Sequence, residues 1–385
     1  MKATPIEAHL IRGVAELEST DRGIRLHRLP GWARRQFPEE RLLSMESQPS
    51  GARLVLRTTA STIELTTHST RMAYRGAVRP RGCLDTFVNG TFTHRDVLEG
   101  GDVVEIDLNS GAVSLQAGPA HTTVVTGLPA GKNRIEIWLP HNESVELLEL
   151  RADGPIDEDV TALPTWVHHG SSISQGSNAA APSEIWPAVA ARRGHVELRN
   201  LGFGGSALVD PFVARVIRDA PADYLSVKLG INVVNSDVMR LRAFVPAIHG
   251  FLDTIRDGHP DTPLVLISPL FCGIHEDTPG PGAIDMSSLG SGQVRFIATG
   301  RSEDQAQGRL TLNVIRRELQ SLVERRASDR HLHYLDGTAL YGSSDAAELP
   351  LPDGLHPDAA AHIRIGERFA DYAFAGNGPF GRAGA

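Results

Sequence analysis

Two adjacent serines, Ser171 and Ser172, close a short apolar run ending His168-His169-Gly170, and a helix opens beyond them near Ser183. Strand, tight turn with a hydroxyl at its tip, then helix is an order that holds a nucleophile at the carboxyl edge of a parallel sheet. A serine hydroxyl attacks a carbonyl only when a base takes its proton, a carboxylate orients that base, and donors receive the developing oxyanion. The chain offers a candidate for each part. Leu351-Pro352-Asp353-Gly354-Leu355-His356-Pro357-Asp358 sets a carboxylate three residues before a histidine on a Pro/Gly-bounded turn, so both side chains can project from one loop. Asn200-Leu201-Gly202-Phe203-Gly204-Gly205-Ser206 follows a predicted strand, and glycines there let a backbone N–H approach a ligand closely. Lys228-Leu229-Gly230-Ile231-Asn232 ends another strand, where the Asn232 amide can donate. Each segment also has a plainer reading when taken alone. Asp358 caps a helix beside a surface His356, the glycines form a flexible turn, and Asn232 is a turn former.

In this order, each beside a predicted strand end, the four segments resemble the GDSL (SGNH) family of serine esterases and acyltransferases. The resemblance spans roughly Pro164 to Phe374 and includes Trp186-Pro187 in the first helix. It implies Ser172 as nucleophile, His356 as base and Asp353 as its partner, with no metal. The oxyanion donors it implies are the N–H of Ser172, the N–H of Gly205 and the side-chain amide of Asn232. Two positions depart from the family pattern: Ser171 and Val233 stand where the family usually has Asp. Ser171 therefore competes with Ser172 for the nucleophile role, with Ser174 a more distant third, and register against the family favours Ser172. The G-x-S-x-G pattern of another hydrolase class is not met, because Gly170-Ser171-Ser172-Ile173-Ser174 lacks the second glycine.

H-H-G-S-S-I-S, the W-L-P-H-N run at Trp138 to Asn142 and a β-rich first half are similar to a two-domain actinobacterial branch of that family. That likeness implies transfer of an aryl acyl group from a coenzyme A thioester, used as a substrate, to a hydroxyl of a small molecule such as a polyketide. No cofactor is implied. The alternative is an esterase acting on acyl esters, carbohydrates included, with the same residues. A third reading, from another class, is a binding protein built on a retired hydrolase, supported only by Ser171 and Val233.

Positioning these residues requires two kinds of framework. From about residue 10 to 150 the pattern has period two, with strands expected at 53–57, 62–66, Asp102–Leu108 and 133–139. Val88-Asn89-Gly90-Thr91 and Asn109-Ser110-Gly111-Ala112 are expected turns. The expectation is an antiparallel, jelly-roll-like β-sandwich over 1–155. Beyond it, strands at 166–169, 196–199, 224–229, 264–268 and 333–335 alternate with helical periods, and 156–385 is expected to be a flavodoxin-like α/β domain. Leu241, Phe244, Val245, Ile248, Phe251, Leu252 and Ile255 fall on one helix face, as do Leu312, Ile315, Leu319, Leu322 and Val323. The Gly-, Pro- and Ser-rich stretch Phe271–Gln305 reads as a functional cover or an unstructured loop.

At 385 residues, with a net charge of -8 and no basic block, the composition argues against nucleic acid or an anionic membrane as partner, and leaves oligomeric state open. The opening residues lack the apolar core of a signal peptide, no stretch reaches membrane-span length, and two cysteines alone, Cys83 and Cys272, fit a reducing cytoplasm. His168 and His169 read first as strand-end packing and second as pocket lining. His331-x-His333 reads as a strand entering the sheet, since no third metal ligand lies at matching spacing. His275-Glu276-Asp277 reads as solvated, and Arg316 and Arg317 as the outer face of a helix.

Overall fold

Period-two alternation builds the first of two compact units in the computed structural model, which describes residues 1–76, 79–107, 110–291 and 294–381. This unit comprises Met1–Gly31, Leu43–Leu163 and Ala181–Ser183. Its strands form an eight-stranded and a six-stranded sheet. Leu54 and Leu56 (strand Arg53–Thr58) and Ile135 and Ile137 (Asn133–Trp138) from one sheet share a buried cluster with Ile63 and Leu65 (Thr62–Tyr74) and Leu147 and Leu150 (Ser144–Ala152) from the other. That shared core is a sandwich packing. The Asn89-Gly90 turn joins Cys83–Val88 to Thr91–Val97 with φ of 51° and 83°, the positive pair a two-residue hairpin needs. One pairing departs from the antiparallel expectation: Thr62–Tyr74 runs parallel to Asp102–Ile106. Between them the chain crosses to the other sheet through the hairpin, and such a crossover is what lets two strands pair in parallel. Leu108 and Asn109, expected at a strand end and a turn, lie outside the described residues.

The second unit contains Pro164–Ala180, the described chain from Glu184 onward, and Trp32–Leu42. Its strands are β1 (Thr165–Gly170), β2 (Glu197–Gly202), β3 (Tyr224–Lys228), β4 (Leu264–Ile267) and β5 (Leu332–Leu335), all parallel, in the order β2-β1-β3-β4-β5. The strand order reverses between β1 and β3, and open α/β sheets bind ligands in the crevice at the carboxyl ends of such a switch point. The connecting helices used below are α1 (Ser172–Gln175), α2 (Trp186–Gly194), α3 (Pro211–Asp219), α4 (Ile231–Ser236), α5 (Leu241–Gly258), α6 (Leu312–Arg325) and α7 (Ala359–Ala373). Phe244, Ile248, Phe251, Leu252 and Ile255 of α5 are buried, as the three-and-four spacing requires, while Leu241 and Val245 at its rim are half-buried.

Three expectations are corrected here. A single cut at 155/156 does not describe the chain, because residues 32–42 belong to the second unit: Phe37 stacks on Phe212 of α3 at 5.4 Å, and the Arg215 guanidinium lies 4.5 Å from the Trp32 ring. The 271–305 stretch, read as a cover or an unstructured loop, holds among its described residues an antiparallel pair, Gly282–Ile284 with Phe296–Ala298, which fits the first of those two readings. Arg316 is buried rather than on an outer face, and Glu276 and His275 are not solvated. Arg316 donates to both Glu276 oxygens at 2.7 and 2.8 Å and to the Pro269 and Leu270 carbonyls, the partners a buried guanidinium needs. His275 is fully buried against the Thr278 carbonyl and Asn235. Cys83 and Cys272 are buried and form no disulfide. Among the described residues no helix is long and apolar enough to cross a membrane.

Candidate active site

The three serines after β1 are separated by what each touches. Ser171 ends the strand in extended conformation and caps α1, its Oγ accepting from the Ile173 N–H at 3.4 Å and its carbonyl from the N–H groups of Ser174 and Gln175. Ser174 is fully buried and bonds His168 Nε2 at 2.8 Å. Ser172, half-buried at the first turn, faces His356 instead: its Oγ lies 2.9 Å from His356 Nε2.

His356 Nδ1 lies 2.7 Å from Asp353 Oδ2, so the i, i+3 spacing does close on one loop. The carboxylate is over-determined. Its Oδ1 accepts from the N–H groups of Leu355 and His356 at 2.9 and 2.7 Å, and Oδ2 also accepts from Asn178 Nδ2 at 3.2 Å. Burial pushes this carboxyl up, but the His356 bond and charge and the two backbone donors outweigh it, and its pKa lies below the ordinary carboxylate value. An ionised Asp353 only accepts, so the His356 proton sits on Nδ1 and Nε2 is the acceptor for the Ser172 hydroxyl. Phe296, from the 271–305 stretch, closes edge-on over the His356 ring at 5.6 Å, and its N–H donates to the Asp353 carbonyl at 2.8 Å.

The two other residues expected to donate, Gly205 and Asn232, follow β2 and β3. Asn200 ties the end of β2 to α1, its Nδ2 donating to the Ser174 carbonyl at 2.9 Å and its Oδ1 accepting from Gly202 N–H at 3.0 Å. Gly202 is required by close approach, since a Cβ there would meet the backbone of Ser174 and Gln175. The next turn commits Gly204 N–H to Gln175 Oε1 at 2.7 Å and Ser206 N–H to the Phe203 carbonyl at 3.2 Å, and Gly205 between them takes φ +69°. Asn232, in α4 and 4% exposed, accepts from Ala207 N–H at 3.1 Å through Oδ1, which fixes the amide and leaves Nδ2 as its donor end. Ser172 N–H, in the first helical turn, has no intrahelical acceptor. Val233, where the family's other aspartate would stand, is fully buried and needs no partner.

His168 and His169 are both fully buried, so strand-end packing is what they do. His168 bridges Ser226 and Ser174 at 2.7 and 2.8 Å beneath the turn, and His169 Nδ1 donates to the Leu201 carbonyl at 2.7 Å. His362 of α7 spans Ser177 and Trp186 in the same manner. Lys228, at the end of β3 and 2% exposed, has its pKa lowered to about 8 by burial. Sequence reasoning missed Asn178 and Lys228; an Asn in a Gly/Ser-rich turn and a Lys at a strand end look alike whether buried or wet. His333 lies in β5, and no cluster of potential metal ligands occurs among the described residues. A cavity of about 390 Å³ opens beside the Asp353 turn, lined by Arg295, Phe296 and Leu351 among others, but Ser172 is not in its wall.

Residues 169–364 match the GDSL-like Lipase/Acylhydrolase family. Among solved structures, the chain is similar to a salicylyl-acyltransferase, SsfX3, from a tetracycline biosynthetic pathway, with 28% identity over 93% of this chain and 92% of that one and a TM-score of 0.76. A putative GDSL-like lipase from Bacteroides ovatus shares 19% identity over 94% and 93% of the two chains, TM-score 0.65. A family two carbohydrate esterase from Clostridium thermocellum, in complex with cellohexaose, shares 14% over 94% and 97%, TM-score 0.58. The last two likenesses are of fold. No curated protein matches the chain.

Proposed function

Because the chain belongs to the GDSL-like lipase/acylhydrolase family, we propose that it transfers acyl groups through an ester on Ser172. The observation that carries this reading is the hydrogen-bonded chain from Ser172 Oγ through His356 to Asp353, at 2.9 and 2.7 Å. His356 Nε2 takes the serine proton as Oγ attacks the carbonyl, and Asp353 steadies the imidazolium that forms. Ser172 N–H, Gly205 N–H and the Asn232 amide receive the oxyanion. The imidazolium then protonates the leaving group, and the same nitrogen deprotonates the acceptor hydroxyl in the second half-reaction. Only the chain's own groups act. An acyl-coenzyme A thioester enters as substrate, and no cofactor is called for. With no disulfide between Cys83 and Cys272, the cytoplasm suits the enzyme.

Transfer to a small-molecule hydroxyl, such as that of a polyketide, is favoured over hydrolysis by the likeness to the salicylyl-acyltransferase along nearly the whole of both chains. The test is product partition: the enzyme is given an aryl acyl thioester with and without a hydroxylated acceptor, and ester is weighed against free acid. Ester in excess is expected. Free acid predominating whatever the acceptor would establish the esterase reading, which uses the same residues and differs in how water is excluded. Asn232→Ala is expected to slow either reaction roughly 10²–10³-fold with the fold retained, the usual cost of one oxyanion donor. Near-normal turnover in that variant would take Asn232 out of the mechanism.

A further inference from the structure

The oxyanion glycine carries a cation on its surface. Arg41, on the helix Glu40–Glu46, lays its guanidinium against Gly205, so that a Cβ added to residue 205 would collide with its Nε, Cζ and Nη2. Both residues lie in the same compact unit, and Arg41 is exposed. Exposed arginines usually extend into water, where their rotamers are free. This one lies over backbone at the residue expected to stabilise the transition state.

Nothing among the described residues accounts for its charge. No carboxylate pairs with the Arg41 guanidinium among the described residues. The adjacent acid, Glu39, is occupied otherwise: its Oε1 accepts from the Arg41 backbone N–H at 3.1 Å and its Oε2 from the Leu42 N–H at 2.6 Å. A planar guanidinium with one flank on a glycine keeps its remaining N–H donors in a fixed fork, and that fork matches the paired oxygens of a carboxylate or phosphate. Uncommitted donors lying against the residue whose N–H is expected to receive the oxyanion fit a substrate that brings its own anion.

We propose that Arg41 is a specificity residue that binds an anionic oxygen group, carboxylate or phosphate, carried by the substrate whose carbonyl reacts at Ser172. The inference rests on the acyl-transfer reading above. The anion has two possible sources, the acyl group or the leaving group, and two matched substrate pairs separate them. p-Nitrophenyl hemisuccinate against p-nitrophenyl acetate varies charge on the acyl side. Acetyl-coenzyme A against the acetyl thioester of N-acetylcysteamine varies it on the leaving-group side.

In Arg41→Ala the ratio of kcat/KM for the charged over the neutral member is expected to fall at least about tenfold in one pair, chiefly through KM. Arg41→Lys should restore part of the ratio and Arg41→Glu should lower it further. Which pair responds identifies the source of the anion. Ratios unchanged within about twofold in both pairs, with all substrates turned over, would overturn this inference alone. A wild-type enzyme that turns over none of the four and resists a fluorophosphonate would overturn the acyl-transfer reading and this inference with it.

Discussion

Ser172→Ala is expected to abolish fluorophosphonate labelling and to lower turnover roughly 10⁶-fold, whereas Ser171→Ala should retain both. The contrast follows from contacts. Ser172 Oγ is the hydroxyl bonded to His356 Nε2, while Ser171 Oγ spends its lone pair on the helix N-terminus. Loss of that cap costs about 1 kcal/mol of stability and no chemistry. Asp353→Asn sharpens the test. Two backbone N–H groups already hold Oδ1, so an asparagine would keep its carbonyl oxygen there and turn its NH₂ toward His356 Nδ1. Two donors cannot share that contact, so the imidazole proton would move to Nε2 and block the serine. A loss of about 10⁴-fold is expected, with the fold intact. Labelling that survives in Ser172→Ala, or disappears in Ser171→Ala, would reassign the nucleophile.

Much of this site could be read before any coordinates because its parts are local. Asp353 and His356 share one turn, Ser172 and Asn232 each follow a strand, and buried parallel strands alternating with amphipathic helices mark their own ends. The five strands of the second unit lie where periodicity puts them, with ends displaced by a residue or more, as at β2, which runs on to Gly202. What could not be read is which distant polar groups meet. Arg316 sits on an otherwise amphipathic helix and is indistinguishable in sequence from an exposed arginine until Glu276 is seen beneath it. Arg41 lies in sequence among the strands of the sandwich, and nothing near it there connects it to Gly205, more than a hundred and sixty positions further on. The bond from Ser174 to His168 is hidden for a related reason: a strand-end histidine and a turn serine each fit their local pattern without the other.

That buried bond belongs to a set with a measurable consequence: the second unit should lose stability steeply as pH falls from about 6.5 towards 4. His169 and His362 are fully buried and held at pKa about 4, mainly by burial, and His168 lies well below 6.5 for the same first reason, with Lys228 adding repulsion. In the unfolded chain each titrates near the ordinary value. Between the two values the unfolded state binds protons that the native state refuses, so stability, complete above pH 6.5, drains as pH falls. His169 and His362 are each worth about 3 kcal/mol once pH reaches 4, and His168 adds to them. Asp210 works the other way: burial, then the Glu39 charge, raises its carboxyl to about 6, so it binds a proton earlier in the folded state and returns one histidine's share. A net loss of at least about 3 kcal/mol remains, a sizeable share of the roughly 5–15 kcal/mol typical of whole domains. Urea midpoints followed by the fluorescence of Trp166 and Trp186, both fully buried in this unit, should fall progressively below pH 6.5. His362→Gln keeps a donor for the Ser177 carbonyl and an acceptor for the Trp186 N–H, yet cannot titrate. It should flatten the slope by close to one proton. A midpoint that does not move between pH 7 and pH 5 would mean these imidazoles reach their protons without unfolding.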